Sequence, residues 1–120
     1  MDTLEELTTL IKTFCEARDW DQFHTPKDLA IGLSTESNEL LDLFRFKTDE
    51  QMKEMLADAA KREEIGSELA DVFFFLLRFA QMNGFDLKDC LERKMAYNDK
   101  RYAVEKIKGK NLKYTELDDN

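Results

Sequence analysis

The stretch Glu68-Leu69-Ala70-Asp71-Val72-Phe73-Phe74-Phe75-Leu76-Leu77 sets two acids three residues apart, then six apolar residues without a polar break. On a helix, acids three apart project from one face. The apolar run then occupies every side of the turns that follow. A helix that is apolar all round must be covered all round. One layer of helices in a small domain does not easily do that. The segment is therefore expected at or near the interface of an oligomer; the alternative is a deep core helix within one chain.

This segment sits in an expected helix over 60–83, closed by Gly84, a residue suited to a left-handed C-cap. Downstream, Asp86 and Asp89 mark the start of another helix that runs to about Tyr102. Upstream, Thr25-Pro26 with Asp28 opens a helix to about Phe44, since Thr caps well and Pro suits the first helical position. A short helix from Thr48 to Leu56 follows, with Thr48 and Gln51 as a capping box. The first helix covers 3–18: Leu4, Leu7, Ile11, Phe14 and Cys15 form a stripe, and Thr3 with Glu6 caps it. Residues 18–24 break the period and read as a loop. Four long helices with short connections imply an all-α protein, an antiparallel four-helix bundle over 1–103 with a polar tail over 104–120.

Composition agrees. The 120 residues contain only four glycines and one proline, so helix is the default reading. A chain of this length buries roughly two-thirds of its unfolded surface, enough for one core. The net charge of −8 is repelled by nucleic acid and by anionic membranes, so neither is expected as a partner. No apolar run approaches the ~18 residues of a membrane span. Met1-Asp2-Thr3-Leu4-Glu5-Glu6 lacks the basic start of a signal peptide. Cys15 and Cys90 fall inside helical patterns with no metal-type spacing, and two buried, reduced thiols in a cytoplasmic protein are expected.

A second acid pair, Glu36-Ser37-Asn38-Glu39, lies on the helix that starts at Pro26. Glu36 and Glu39 share a stripe with Leu29, Leu33, Leu40 and Leu43. Glu68 and Asp71 share one with Phe75 and Met82. The acids thus stand on core-seeking faces, where an unpaired carboxylate costs several kcal/mol and four would repel one another. A cation is one remedy; ion pairs with Lys or Arg are the other. A site of oxygen ligands alone suits Mg²⁺ or Mn²⁺, and no E-x-x-H pairing points to a di-iron centre. Leu87, Leu91, Lys94, Asn98 and Arg101 form a further stripe. Its polar members either hold a polyphosphate or pair with the acids.

These residues together resemble the MazG-like pyrophosphohydrolases. Glu36-x-x-Glu39 followed by Glu68-x-x-Asp71 looks like their signature. The segment Arg18 to Pro26, and Lys94 to Asn98 with Arg101-Tyr102 and Val104-Glu105-Lys106, resemble the dCTP pyrophosphatase branch. The resemblance covers about residues 4–115. It implies hydrolysis of surplus or non-standard nucleoside triphosphates to monophosphate and pyrophosphate. It implies Mg²⁺ on Glu36, Glu39, Glu68 and Asp71, with Glu36 activating the attacking water. Lys94, Asn98, Arg101 and Tyr102 would hold phosphates or sugar. Trp20, Asp21, Gln22, Phe23 and His24 would line the nucleoside pocket. Small members form dimers, or tetramers built from dimers, and a homotetramer is expected here. Vertebrate members of that branch carry His, Trp and Tyr where this chain has Ile11, Phe46 and Phe75, so the base pocket is expected to be more apolar and less selective.

Two other readings belong beside this one. A non-catalytic, oligomeric helical module would have its acids solvated or ion-paired. A nucleotide-binding regulator would keep the pocket without turnover, which the intact four-acid set argues against.

Overall fold

Side-chain oxygens of Thr3, Thr25, Thr48, Asp58 and Asp86 each accept a hydrogen bond from the backbone N–H three residues on. Each satisfies one orphan donor at a helix start, worth about 1 kcal/mol. The helices that follow, in a computed structural model describing residues 3–111 and 115, are α1 (Leu4–Ala17), α2 (Pro26–Phe44), α3 (Asp49–Ala57), α4 (Ala59–Asn83), α5 (Leu87–Arg101) and the one-turn α6 (Val104–Ile107). No strand occurs among the described residues.

The expected helices fall within a residue or two of these bounds. At Thr48 both halves of the capping box form, the side chain of Gln51 accepting from the Thr48 N–H. Gly84 closes α4 with φ 73°, the left-handed cap foreseen for it. Asp58 ends α3 and begins α4, so the two helices share one residue as their joint. The segment read as a loop holds a 3-10 turn, Asp21–Phe23. Residues 112–114 and 116–120 of the expected tail lie outside the described residues.

The chain divides into two compact units, Met1–Gly84 and Phe85–Asn120. In the first, α4 packs against α2, α1 and α3, with α2 its principal partner. Cys15, Leu29, Ile65, Leu77 and Ala80 form its buried core. Phe14 meets the Phe74 ring edge-on at 6.3 Å, and Phe74 meets Phe75 at 5.2 Å. Such aromatic pairs add about 0.5–1.5 kcal/mol to the area they bury. In the second unit, α5 is polar on most sides and carries the ion pairs Lys88–Glu92 at 2.6 Å and Arg93–Asp89 at 3.0 Å. Cys90, expected to be buried, stands exposed there, because a helix so poor in apolar residues gives it no core to enter.

Gly32 of α2 lies directly against the Phe75 ring of α4. A methyl group there would stand 2.6 Å from Cδ1 and 2.7 Å from Cζ of Phe75, well inside contact distance. Gly32→Ala gains up to about 1 kcal/mol in helix propensity. It loses about 1–3 kcal/mol by overpacking against the ring. Phe74 also packs edge-on against that ring at 5.2 Å, so the loss should win. A net stability loss of about 1 kcal/mol, seen as a lower urea midpoint, is expected; a higher midpoint would mean that Phe75 moves aside freely.

Candidate metal and nucleotide site

The packing of α2 on α4 also sets three acids together. Glu36 and Glu39 on α2 and Glu68 on α4 each offer a carboxylate oxygen, all within 4.8 Å of one another. Glu36 and Glu68 are half-buried and Glu39 is exposed. Oε2 of Glu36 and Oε2 of Glu68 are buried, with no hydrogen-bond partner among the described residues. Buried acceptors without donors are rare. Asp71, one turn beyond Glu68, is exposed, and its oxygens fall outside this group of three.

The electrostatics follow from that crowding. Glu36 is pushed up from 4.5 to about 7, first by a shared hydrogen bond with Glu39, then by burial and by the charges of Glu39, Asp71 and Glu68. Glu68 is also raised, chiefly by burial and then by Glu39 and Asp71. Asp71 therefore acts on the group through its charge. Glu64, one turn before Glu68, pairs with Lys61 at 3.4 Å and adds a smaller repulsion to Glu68.

A divalent cation fits these residues. The donors are all oxygen, two of them lack partners, and positive charge would remove the repulsion. The group borders a cleft of about 640 Å³ lined by Asn38, Glu39, Asp42, Arg45 and Glu68 together with Leu41 and Leu43. Arg45 escaped the sequence reading, because it follows the last turn of α2 and no stripe includes it. Its guanidinium lies 4.7 Å from the centroid of the Phe46 ring. Phe46 itself has φ 62° and is 88% exposed. A bulky residue held left-handed and in water is strained, and such strain gathers at functional sites.

The Trp20–His24 segment forms a second locus in the same unit. Trp20 stands edge-on to Phe14 at 5.6 Å, and its ring centroid is 6.0 Å from that of His24. The Gln22 amide turns back on Asp19, donating to its backbone oxygen at 3.1 Å and its carboxylate at 3.0 Å. Phe23 is exposed. Asp21 and His24 bind Arg78 of α4, a residue the sequence reading did not single out. His24 is held below its ordinary 6.5, by burial first and then by the Arg78 charge, against a smaller opposing effect of Asp21. Of the three apolar pocket candidates, Ile11 is half-buried on α1, Phe75 is half-buried against Gly32, and Phe46 is exposed.

The remaining candidates belong to the second unit. The Lys94 ammonium lies 5.3 Å and the Arg101 guanidinium 5.1 Å from the Tyr97 ring centroid. Arg101 also lies 5.8 Å from that of Tyr102. Asn98 is half-buried on the same helix. A basic, aromatic cluster of this kind suits a phosphate or a sugar face.

Known proteins share this chain's pattern. A family model described as MazG-like matches residues 31–117. The dCTP pyrophosphatase 1 proteins of Bos taurus and Homo sapiens are each 36% identical over 115 residues, spanning 96% of this chain and 68% of theirs. The crystal structure of a pyrophosphatase from Archaeoglobus fulgidus superposes with a TM-score of 0.79 at 31% identity, covering 86% of this chain and 94% of that one.

Proposed function

This chain belongs to the MazG-like family and is a nucleoside triphosphate pyrophosphohydrolase, and we propose that it serves to clear deoxynucleoside triphosphates, dCTP or a close relative first. The observation that carries the reading is the acid group: three carboxylates within 4.8 Å, two of them with a buried oxygen that has no donor. A non-catalytic module gains nothing from such an arrangement, whose repulsion only destabilises it.

In this reading Glu36, Glu39, Glu68 and Asp71 hold Mg²⁺, with Mn²⁺ as a substitute. When bound, the cation supplies positive charge to the triphosphate oxygens as negative charge builds on them. Glu36 takes the proton of the attacking water at a carboxylate oxygen. The water oxygen bonds to phosphorus, the α–β bridge breaks, and monophosphate and pyrophosphate leave. Lys94, Asn98, Arg101 and Tyr102 contact phosphates or sugar. Ile11, Phe46 and Phe75, with the Trp20–His24 segment, receive the nucleoside. Exposed Leu69, Phe73 and Leu76 lie on one stripe of α4 and support a homo-oligomer, with a dimer of dimers favoured. No helix among the described residues is long and apolar enough to cross a membrane, and a cytoplasmic nucleotide pool is the proposed setting.

The test is the identity of the first products. With Mg²⁺ and dCTP, phosphorus NMR should show dCMP and pyrophosphate from the earliest time points. Orthophosphate appearing first would overturn the reading. Across dCTP, dTTP, dUTP and dATP, kcat/KM should vary by no more than about a hundredfold, since an apolar pocket discriminates weakly among bases.

A further inference from the structure

Among the described residues, one charged side chain is buried, and it lies outside the acid group. Arg78 of α4 is 1% exposed. Its Nε donates to His24 Nδ1 at 2.9 Å, its Nη1 donates to Gln81 Oε1 at 2.5 Å, and its Nη2 pairs with Asp21 Oδ1. Two of these three bonds reach the segment between α1 and α2. Asp21 is itself 52% exposed, so the network runs from the core to the surface.

Taking a guanidinium out of water costs several kcal/mol, and a hydrocarbon of similar volume would often fill the space at least as well. What the guanidinium adds is geometry. Its planar fork fixes two partners at once. The bond to Nδ1 also fixes the imidazole: Nδ1 accepts, so the proton of the neutral ring sits on Nε2. That Nε2 makes no hydrogen bond to a described residue and is not sealed from solvent. Trp20 stands beside the ring at 6.0 Å between centroids, and Phe23 is 62% exposed. The segment therefore presents aromatic surface next to a single oriented N–H donor. That combination suits a ligand with a flat face and an acceptor atom.

We propose that Arg78 is a positioning residue for nucleotide recognition, holding the Trp20–His24 segment in one shape and leaving His24 Nε2–H as the donor to an acceptor atom of the nucleotide. The proposal rests on the pyrophosphohydrolase reading for the identity of the ligand.

The chain has one histidine, so long-range ¹H–¹⁵N correlation spectra of the full-length protein report its tautomer without ambiguity. A pyridine-type Nδ1 and a protonated Nε2 are expected at neutral pH; a protonated Nδ1 would overturn the proposal. Adding Mg²⁺ and α,β-imido-dCTP should shift the Nε2 resonance, and no shift would overturn it. Deoxycytidine and pyrophosphate, added separately with Mg²⁺, distinguish a base or sugar acceptor from a phosphate oxygen. Arg78→Met should mix the two tautomers and raise KM for dCTP about tenfold, with kcat changed less than about twofold. Arg78→Lys, which keeps one donor, should recover part of the KM. A folded Arg78→Met protein with unchanged KM would make Arg78 a structural staple only. Should Arg78→Met not fold, the tautomer and analogue results on the wild-type protein still decide. Absence of turnover in the wild-type protein would sink the enzyme reading alone, because the effect of the analogue on His24 is read independently of catalysis.

Discussion

Replacing Glu36 by glutamine is expected to lower kcat at least about a thousandfold and, in the same protein, to raise the melting temperature of the metal-free form. The two effects have one cause. Glu36 is crowded by Glu39, Asp71 and Glu68, and its Oε2 is buried without a donor. The amide in Glu36→Gln would keep the shape and donate a hydrogen bond to Glu39, but remove one charge from the cluster. Repulsion falls and the fold gains stability. The cation then loses a ligand, and the water loses the group that takes its proton. Steady-state kinetics and thermal melts with and without Mg²⁺ check both halves. The variant should also respond less to Mg²⁺ than the wild type does, since a ligand stabilises only as far as it binds the folded state. A loss of activity below about tenfold would remove Glu36 from the mechanism.

The helices were legible because their signals are local. Thr25-Pro26, Thr48 with Gln51, Asp86 and Gly84 each act within one turn, and each behaves as its chemistry dictates. The acid group was legible at one remove. Spacing put Glu36 and Glu39 on the core-seeking face of α2 and Glu68 on that of α4, and the packing of those two helices brings the three together. Spacing did not say that Asp71 would fall outside the group, because Glu36 and Glu39 are equally three apart and both belong to it; the difference lies in how α4 packs on α2. Arg78 was not legible at all. In a run of Phe, Leu and Ala an arginine reads as a side chain that stretches to water. Two of its three partners, His24 and Asp21, lie 54 and 57 residues away in the sequence, and only the folded chain puts them within reach. Phe46 is a similar case: its left-handed backbone follows from the way α2 ends, which no composition rule at Arg45-Phe46-Lys47 specifies.

Chelating divalent cations is expected to reduce turnover more than about a thousandfold while leaving the helical content intact, because five of the helices are capped by their own side chains and the core of the first unit is apolar. The metal-free protein should then show a particular dependence on pH. Glu36 lies at about 7 in the folded chain, above its ordinary 4.5. A carboxyl raised on folding binds protons more tightly in the native state. Its contribution to stability is therefore complete below the unfolded value and is lost as pH rises through about 7. Glu68, raised for a similar reason, acts in the same direction. The melting temperature without metal should fall between about pH 5 and about pH 8, and Mg²⁺ should restore most of the loss at the upper end. Binding must also displace the proton that Glu36 holds, so calorimetry in buffers of different ionisation enthalpy should record proton release near neutral pH, fading as the pH passes well above 7. An Mg²⁺ affinity that did not change with pH would mean that the cation binds away from these acids. Turnover that survived exhaustive chelation would mean that the carboxylates of α2 and α4 serve the reaction without one.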